Sequence, residues 1–390
     1  MTGAAAVEDI RQRGLLPEGV HDALSPEAEQ EAALTDDLMR GFAAYGYRRV
    51  APPLVEFETS LTSLSGGSVT PNMFRLLDPV SNRMMALRSD ITPQIARLAA
   101  TRLAAAPRPL RLSYAGHVLR VRGSQLRPHR QFRQAGAELI GAASVQAEAE
   151  VIAMALETLR LIGLQGLVLD LTVSRFVPVL ARALGLSAPA AEEVRLALDA
   201  KDVGRLQRLH GPARDSFTTV LRAAGPVSQA LAQLDRLDLP EEARALIEEV
   251  AALAHALHTV VPDLPISLDP GEFRGFEYKT GIGFSVFAQG VRGTLARGGR
   301  YAVDHLDGRE EPAVGFSVYL DSILQGLPRP APRPLVFLPA DSQDGSRLRV
   351  SGWRTLTALA PVADEQAEAR RMGCTHWLPA GADAPVPLDR

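Results

Sequence analysis

Residues 176 to about 260 show helical periodicity, are rich in Ala, Leu, Arg and Glu, and contain little strand signal. Runs with strand character precede this stretch at 47–50, 84–87, 110–119 and 167–173, and others follow it at 266–268, 283–288, 294–296 and 314–320. A sheet must therefore be assembled from both sides of a helical interruption. The pattern predicts an α+β fold, in which a mainly antiparallel sheet is flanked by helices.

Helices are predicted beside these strands. Ser25-Pro26 suits the N-terminus of a helix because proline is accepted in the first helical turn, and Gly46 ends the apolar pattern that follows. Further helical patterns cover residues 93–105 and 148–161.

The chain is expected to form two domains joined by a stiff, proline-rich linker. The prolines that predict this linker alternate with other residues at Pro328, Pro330, Pro332 and Pro334. Before the linker we expect one large domain over residues 1–328, with a helical insertion at about 174–262. After it, strand-like runs at 335–338, 353–358 and 375–378 alternate with two helical patterns, which predicts a small α/β domain over residues 329–390.

Composition excludes several classes of protein. The formal net charge of −3 gives no general attraction to nucleic acid. A single cysteine, Cys374, excludes an internal disulfide and a cysteine-rich zinc site, and it fits a reducing compartment. The sequence has no secretory signal and no apolar run of about 18 residues, so a cytoplasmic protein without a membrane span is expected.

Three segments carry side chains that suit a binding site. In the first, Asp90 and Thr92 precede the helix predicted at residue 93, where they serve either as an N-terminal cap or as oxygen ligands for an ammonium group. In the second, residues 117–141 predict two strands joined by a basic loop, and Arg120, Gln134 and Glu138 converge on one side. This segment is either an anion site or a solvated charged hairpin.

The third segment, residues 274–281, is followed by paired glycines at 298–299. Glycines between strands let the backbone approach a ligand closely, and the fork-shaped guanidinium of Arg274 suits a carboxylate. An ordinary strand connection explains the same pattern equally well.

Together these segments resemble the histidyl-tRNA synthetase family, and most closely the regulatory subunits of ATP phosphoribosyltransferase. The likeness covers about residues 15–325, in order and with similar spacing. Its parts are a dimer-forming first motif at 16–20 and 45–53, a second motif at 114–120 and 130–138, a histidine signature at 274–278, and the approach to a third motif at 298–301 and 313–316. The resemblance implies a class II aminoacyl-tRNA synthetase-like fold.

The resemblance also implies a site for L-histidine. The residues carried over position by position are Asp90, Thr92, Arg120, Gln134, Glu138, Arg274 and Tyr278. Asp90 and Thr92 would receive the α-ammonium group, and Arg120 would face the carboxylate. Lys279 stands where synthetases usually have a second tyrosine against the imidazole, which weakens the match at that position.

Two departures concern the groups with which synthetases hold ATP. The arginine at the end of the third motif is replaced by Ser322, directly after Asp321, and the adenine-reading glutamate of the second motif is replaced by Arg122. A neutral hydroxyl beside a carboxylate cannot hold a γ-phosphate. The resemblance therefore implies a regulatory subunit with no catalytic residues, no cofactor and no metal.

The expected partners also follow from the resemblance. They are the short-form catalytic subunit of ATP phosphoribosyltransferase, a second copy of this chain in a homodimer within a hetero-oligomer, expected to be a hetero-octamer, and L-histidine as feedback inhibitor of the first step of histidine biosynthesis. No tRNA is expected. Two alternatives stay open: a divergent active histidyl-tRNA synthetase, and a free-standing amino-acid sensor or RNA-binding module.

Overall fold

The computed structural model describes residues 14–62, 73–123, 128–142, 144–272, 279–328 and 333–389. The chain divides into two compact units, Met1–Pro328 and Arg329–Arg390. No helix within the described ranges is long and apolar enough to cross a membrane.

The first unit contains twelve described strands. They are β1 (Arg48–Arg49), β2 (Val55–Phe57), β3 (Arg75–Leu77), β4 (Met84–Leu87), β5 (Leu110–Leu119), β6 (Gln131–Ile140), β7 (Leu167–Val173), β8 (Gly225–Pro226), β9 (Ile266–Asp269), β10 (Lys279–Ala288), β11 (Ala296–Asp304) and β12 (Glu310–Tyr319). Nine of them form one sheet in the order β1-β5-β6-β12-β11-β10-β7-β9-β8, and the others form a small sheet in the order β2-β4-β3. Only the β1–β5 and β7–β9 pairs are parallel among these described strands, so the sheet is mainly antiparallel as predicted.

The described helices of this unit are α1 (Glu27–Ala44), α2 (Glu58–Thr62), α3 (Thr92–Ala100), α4 (Val145–Leu161), α5 (Phe176–Ala183), α6 (Ala188–Asp199), α7 (Val203–Leu206), α8 (Gly211–Arg222), α9 (Val227–Leu234), α10 (Glu241–Val260) and α11 (Leu320–Gly326). Helices α5 to α10 all lie between β7 and β9, which are neighbours in the large sheet. The predicted fold class is thereby confirmed: a mainly antiparallel sheet flanked by helices and interrupted by a helical segment.

Two apolar clusters cover the two faces of the large sheet. Alternate residues of a strand point to opposite faces, and β6 illustrates the division because Ala137 belongs to one cluster and Ile140 to the other. The larger cluster includes residues of α1 and α4, such as Phe42 and Leu156. The smaller cluster includes Ile95 of α3. The polar residues described below lie on the side of the smaller cluster.

Several predicted boundaries were wrong. Helix α1 begins at Glu27, and Pro26 occupies the cap position without a capping side-chain hydrogen bond. The strand predicted at 294–296 instead runs from Ala296 to Asp304, so the glycines that suggested a turn lie inside β11. Gly298 is required there because an added Cβ would come within 2.3 Å of the carbonyl oxygen of Gly315.

The second unit is a small α/β fold. Its elements are β13 (Leu335–Leu338), α12 (Gly345–Val350), β14 (Arg354–Thr357), α13 (Glu365–Arg371), β15 (His376–Trp377) and β16 (Val386–Pro387). The strand order is β14-β13-β15-β16, and β13 runs parallel to both of its neighbours. Val336, Leu338, Leu348 and Leu378 form its main buried cluster.

Candidate ligand site

The carboxyl group of Glu138 is the centre of a buried polar network. Glu138 lies on β6 and is 0% exposed. Its Oε1 accepts hydrogen bonds from the hydroxyls of Thr92 at 2.9 Å and Tyr114 at 3.1 Å, and its Oε2 accepts one from the hydroxyl of Tyr301 at 2.9 Å. A buried carboxyl group needs such partners, because its desolvation is otherwise uncompensated. The network therefore holds Glu138 in one orientation.

Gln134 extends this network toward the start of α3. Its Nε2 donates to Oδ1 of Asp90 at 2.9 Å and to the hydroxyl of Ser317 at 2.6 Å, and its Oε1 accepts from the backbone N–H of Ile91 at 3.1 Å. Residues 134 and 138 of β6 point to the same face because their spacing is even. Four of the residues predicted to bind histidine, namely Asp90, Thr92, Gln134 and Glu138, are thus brought together.

Asp90 lies two residues before helix α3 and not at its cap position, which Ile91 occupies without a capping side-chain hydrogen bond. Its Oδ1 accepts from the backbone N–H of Thr92 at 3.1 Å, which is the local turn contact expected of an aspartate before a helix. The same oxygen accepts from Gln134. The side chain is only half-buried, so it remains accessible to a ligand while the turn is fixed.

Glycines in β6 and β12 make room for these polar side chains. A Cβ at Gly315 would lie 1.6 Å from Oε2 of Glu138. A Cβ at Gly136 would lie 2.4 Å from the hydroxyl of Tyr114. Gly315 faces Glu138 directly across the β6–β12 pair, so glycine is the residue that this position accepts while Glu138 keeps its place.

Burial raises the pKa of Glu138 from its usual range to about 8. Hydrogen bonds from Tyr301 and Thr92 favour the charged form, and the nearby Asp90 carboxylate opposes it. Burial also raises the pKa of Tyr114, and the carboxylates of Glu138 and Asp90 add to this effect. The carboxyl group of Glu138 therefore keeps its proton to a higher pH than an ordinary glutamate does, and an approaching cation would favour release of this proton.

The remaining predicted residues lie elsewhere or outside the described ranges. Arg120 follows the end of β5, and its guanidinium carbon lies 4.8 Å from the ring centroid of Phe132, a cation–π contact. Arg274 and Tyr278 lie outside the described residues. Lys279 is the first residue of β10. The structure thus joins four of the seven predicted residues in one network and places Arg120 on the hairpin beside it.

Sequence reasoning missed three members of the network: Tyr114, Tyr301 and Ser317. The hydroxyl of Tyr114 lies 2.9 Å from that of Ser317. Both residues face Gly136, from β5 on one side and β12 on the other. Strand alternation could have placed Tyr114 on the face of Gln134 and Glu138 once the hairpin register was known, but the partner in β12 depends on long-range pairing.

The positions that depart from the ATP-binding pattern are also defined. Ser322 lies in the first turn of α11 and is buried. Oδ1 of the preceding Asp321 is buried and has no hydrogen-bond partner within the described residues. Arg122 is exposed after the end of β5. The described residues also contain no group of three metal-ligating side chains.

Comparison with known families places this chain in the histidyl-tRNA synthetase class. The family model described as histidyl-tRNA synthetase matches residues 19–323. A solved Bacillus halodurans structure described as an ATP phosphoribosyltransferase regulatory subunit/histidyl-tRNA synthetase superposes with a TM-score of 0.80 at 24% identity, over 92% of this chain and 96% of that one. Histidyl-tRNA synthetase from a Nostoc species has a TM-score of 0.78 at 21% identity, over 95% and 92% of the two chains.

Sequence comparison identifies the family of this chain more narrowly than the fold does. A Rhodospirillum centenum protein named ATP phosphoribosyltransferase regulatory subunit is 47% identical over 369 residues, which span 94% of this chain and 95% of the relative. A Gluconobacter oxydans protein of the same name is 43% identical over 95% of this chain and 97% of the relative. The chain therefore belongs to the ATP phosphoribosyltransferase regulatory subunit family.

Proposed function

We propose that this chain binds L-histidine in the network around Glu138 and acts as the non-catalytic, histidine-sensing subunit of an ATP phosphoribosyltransferase. The observation that carries the proposal is the convergence of Asp90, Thr92, Gln134 and Glu138 from two separate parts of the chain. In this function the chain supports the activity of a partner and lets histidine inhibit the first step of its own synthesis.

The chemistry of the network suits the α-ammonium group of an amino acid. An ammonium group offers three donors and no acceptor, so it requires oxygen acceptors around it. Asp90 and Glu138 supply carboxylate oxygens, and Thr92 supplies a hydroxyl. By resemblance, Arg120 would bind the ligand carboxylate, and Arg274 and Tyr278 would line the opposite wall.

The same region is poorly suited to ATP. Ser322 supplies a buried hydroxyl where a synthetase has a cationic side chain, and Oδ1 of Asp321 is a buried acceptor without a described partner. A carboxylate at this position repels the phosphates of a nucleotide. These residues support a regulatory subunit that binds the amino acid without activating it.

The proposed assembly contains a homodimer of this chain together with short-form ATP phosphoribosyltransferase catalytic subunits, in a hetero-oligomer proposed to be a hetero-octamer. Three exposed leucines on and beside the first motif, Leu15, Leu16 and Leu24, support a protein contact there. Apolar side chains that a chain leaves exposed are often covered by a partner when several lie in one patch.

Reconstitution with the catalytic subunit tests this function. We expect phosphoribosyltransferase activity to require this chain, and we expect L-histidine to inhibit the complex but to lose its effect when Thr92→Val or Asp90→Asn is introduced. A chain that leaves the activity of the catalytic subunit unchanged contradicts the proposal. Histidine-dependent ATP–pyrophosphate exchange by the chain alone would instead establish an active synthetase.

A further inference from the structure

Arg88, the residue that follows β4, carries a buried guanidinium next to the candidate ligand site. The residue is 6% exposed. Its Nε donates to the carbonyl oxygen of His117 at 2.8 Å, and its Nη1 donates to the carbonyl oxygen of Pro52 at 2.9 Å and to Oε1 of Gln94 at 3.3 Å. A buried cation needs such acceptors to offset its desolvation. Its side chain therefore fixes three separate parts of the chain relative to one another.

The backbone of Arg88 joins two of these parts again. Its N–H donates to the carbonyl oxygen of Leu54 at 3.1 Å, and its carbonyl oxygen accepts from the N–H of Leu119 at 3.0 Å. Residues 52–54 are thus connected to the end of β5 through both the main chain and the side chain of one residue. Asp90, whose carboxylate belongs to the ligand network, follows two residues later.

Space for the guanidinium is provided by Gly116 of β5. A Cβ at this position would lie 2.2 Å from Nη2 of Arg88. Gly116 faces Gln134 directly in the β5–β6 pair, and Gln134 donates to Asp90. The guanidinium therefore lies beside the strand partner of Gln134, and Gln134 is the residue that orients Asp90.

Partly buried polar contacts extend from the neighbourhood of Arg88 to β2 of the small sheet. Nε2 of Gln94, in α3, donates to the carbonyl oxygen of Pro53 and to Oε1 of Glu56, both at 2.8 Å. Glu56, in β2, accepts two hydrogen bonds of 2.7 Å from Arg97. Residues 52–57 are thus tied to the helix that begins at Thr92 as well as to Arg88.

We propose that Arg88 is a positioning residue that transmits the conformation of residues 52–57 to the amino-acid site. The guanidinium holds the Asp90–Thr92 turn in the geometry that the ligand requires, and a change at residues 52–57 alters that geometry through the same contacts. The inference rests on the proposed histidine site and adds a route by which its affinity is regulated. Contacts made elsewhere on the small sheet can then change histidine affinity.

Two variants of the full chain test the placement of the Arg88 guanidinium against Gly116, one by changing each residue. Arg88→Lys keeps the charge but loses the fork that reaches several carbonyl groups at once. Gly116→Ala keeps Arg88 and displaces its guanidinium. Arg102→Lys is the matched control because Arg102 is exposed beyond the end of α3. The readouts are the Kd for L-histidine by calorimetry and amide hydrogen exchange at Ile91 and Thr92.

We expect both variants to weaken histidine binding by roughly tenfold, within the range of ordinary allosteric couplings, and to accelerate exchange at Ile91 and Thr92. Glu56→Gln should also accelerate this exchange, and combining it with Arg88→Lys should add less than the two separate effects, because both act through one network. Unchanged affinity and exchange in both variants would overturn the inference, as would acceleration spread evenly over the whole sheet. If the wild-type chain fails to bind histidine, the proposed function fails, and the exchange data still decide whether Arg88 positions the turn.

Discussion

Replacing Glu138 with glutamine should remove a pH dependence from the stability of the first unit. The pKa of Glu138 is about 8 in the folded chain, compared with 4.5 for an unperturbed glutamate. The folded state therefore binds this proton more tightly than the unfolded state does. Stability from this source is fully present below pH 4.5 and is lost as the pH rises toward 8.

The size of the effect follows from the separation of the two pKa values. Each pH unit between them corresponds to about 1.4 kcal/mol. From pH 5 to pH 8, the free energy of unfolding of the wild-type chain should fall by about 3 to 4 kcal/mol relative to Glu138→Gln. Glutamine has nearly the same size and does not titrate, so any hydrogen bond it makes less well adds only an offset of about 1 kcal/mol that is independent of pH.

Urea denaturation followed by far-ultraviolet circular dichroism measures this difference, because most of the helices lie in the first unit. Tryptophan fluorescence does not, because Trp353 and Trp377 both lie in the second unit. The contributions of other titrating groups to the free energy of unfolding cancel when the two proteins are compared at each pH. Parallel curves for the wild-type and variant proteins would refute the assignment of a raised pKa to Glu138.

Two further substitutions test the environment of the same carboxyl group. Tyr301→Phe removes a hydroxyl that stabilises the charged form of Glu138, so the pKa of Glu138 should rise. The pH midpoint of the stability difference between this variant and Glu138→Gln should therefore move to higher pH. An unchanged or lower midpoint contradicts the contact. Gly315→Ala places a Cβ 1.6 Å from Oε2 of Glu138 and should lower the free energy of unfolding by about 2 kcal/mol or more. The control Gly204→Ala, in α7, should cost much less, since the added Cβ meets only Oδ1 of the Asp202 side chain, at 3.3 Å. Equal losses in the two alanine variants would show that the space at Gly315 is unimportant.

Much of the fold was predictable where local patterns are strong. The strands at Met84–Leu87, Leu110–Leu119 and Leu167–Val173 begin and end at the predicted residues, because their apolar runs are bounded by turn-forming or polar residues. Strand β11 was predicted too short, since paired glycines usually indicate a turn. Here the close approach of the Gly315 backbone, which the sequence of β11 does not record, requires glycine inside a strand.

The candidate site was predictable only in part for the same reason. The motif resemblance identified Asp90, Thr92, Gln134 and Glu138, and the structure brings them together. Tyr114 and Ser317 meet across three strands although they are far apart in sequence. The buried contacts of Arg88 likewise depend on how residues 52–54 pack, which no local pattern reveals.

Calorimetric titration of L-histidine into the purified full chain tests the central claim most directly. We expect saturable binding at one site per chain, accompanied by proton release near pH 7 as the ligand ammonium favours the charged form of Glu138. Thr92→Val should weaken this binding while the chain stays folded. Absence of any binding at millimolar histidine would contradict a histidine site in this network. So would binding by Thr92→Val and Asp90→Asn that is as tight as binding by the wild-type chain.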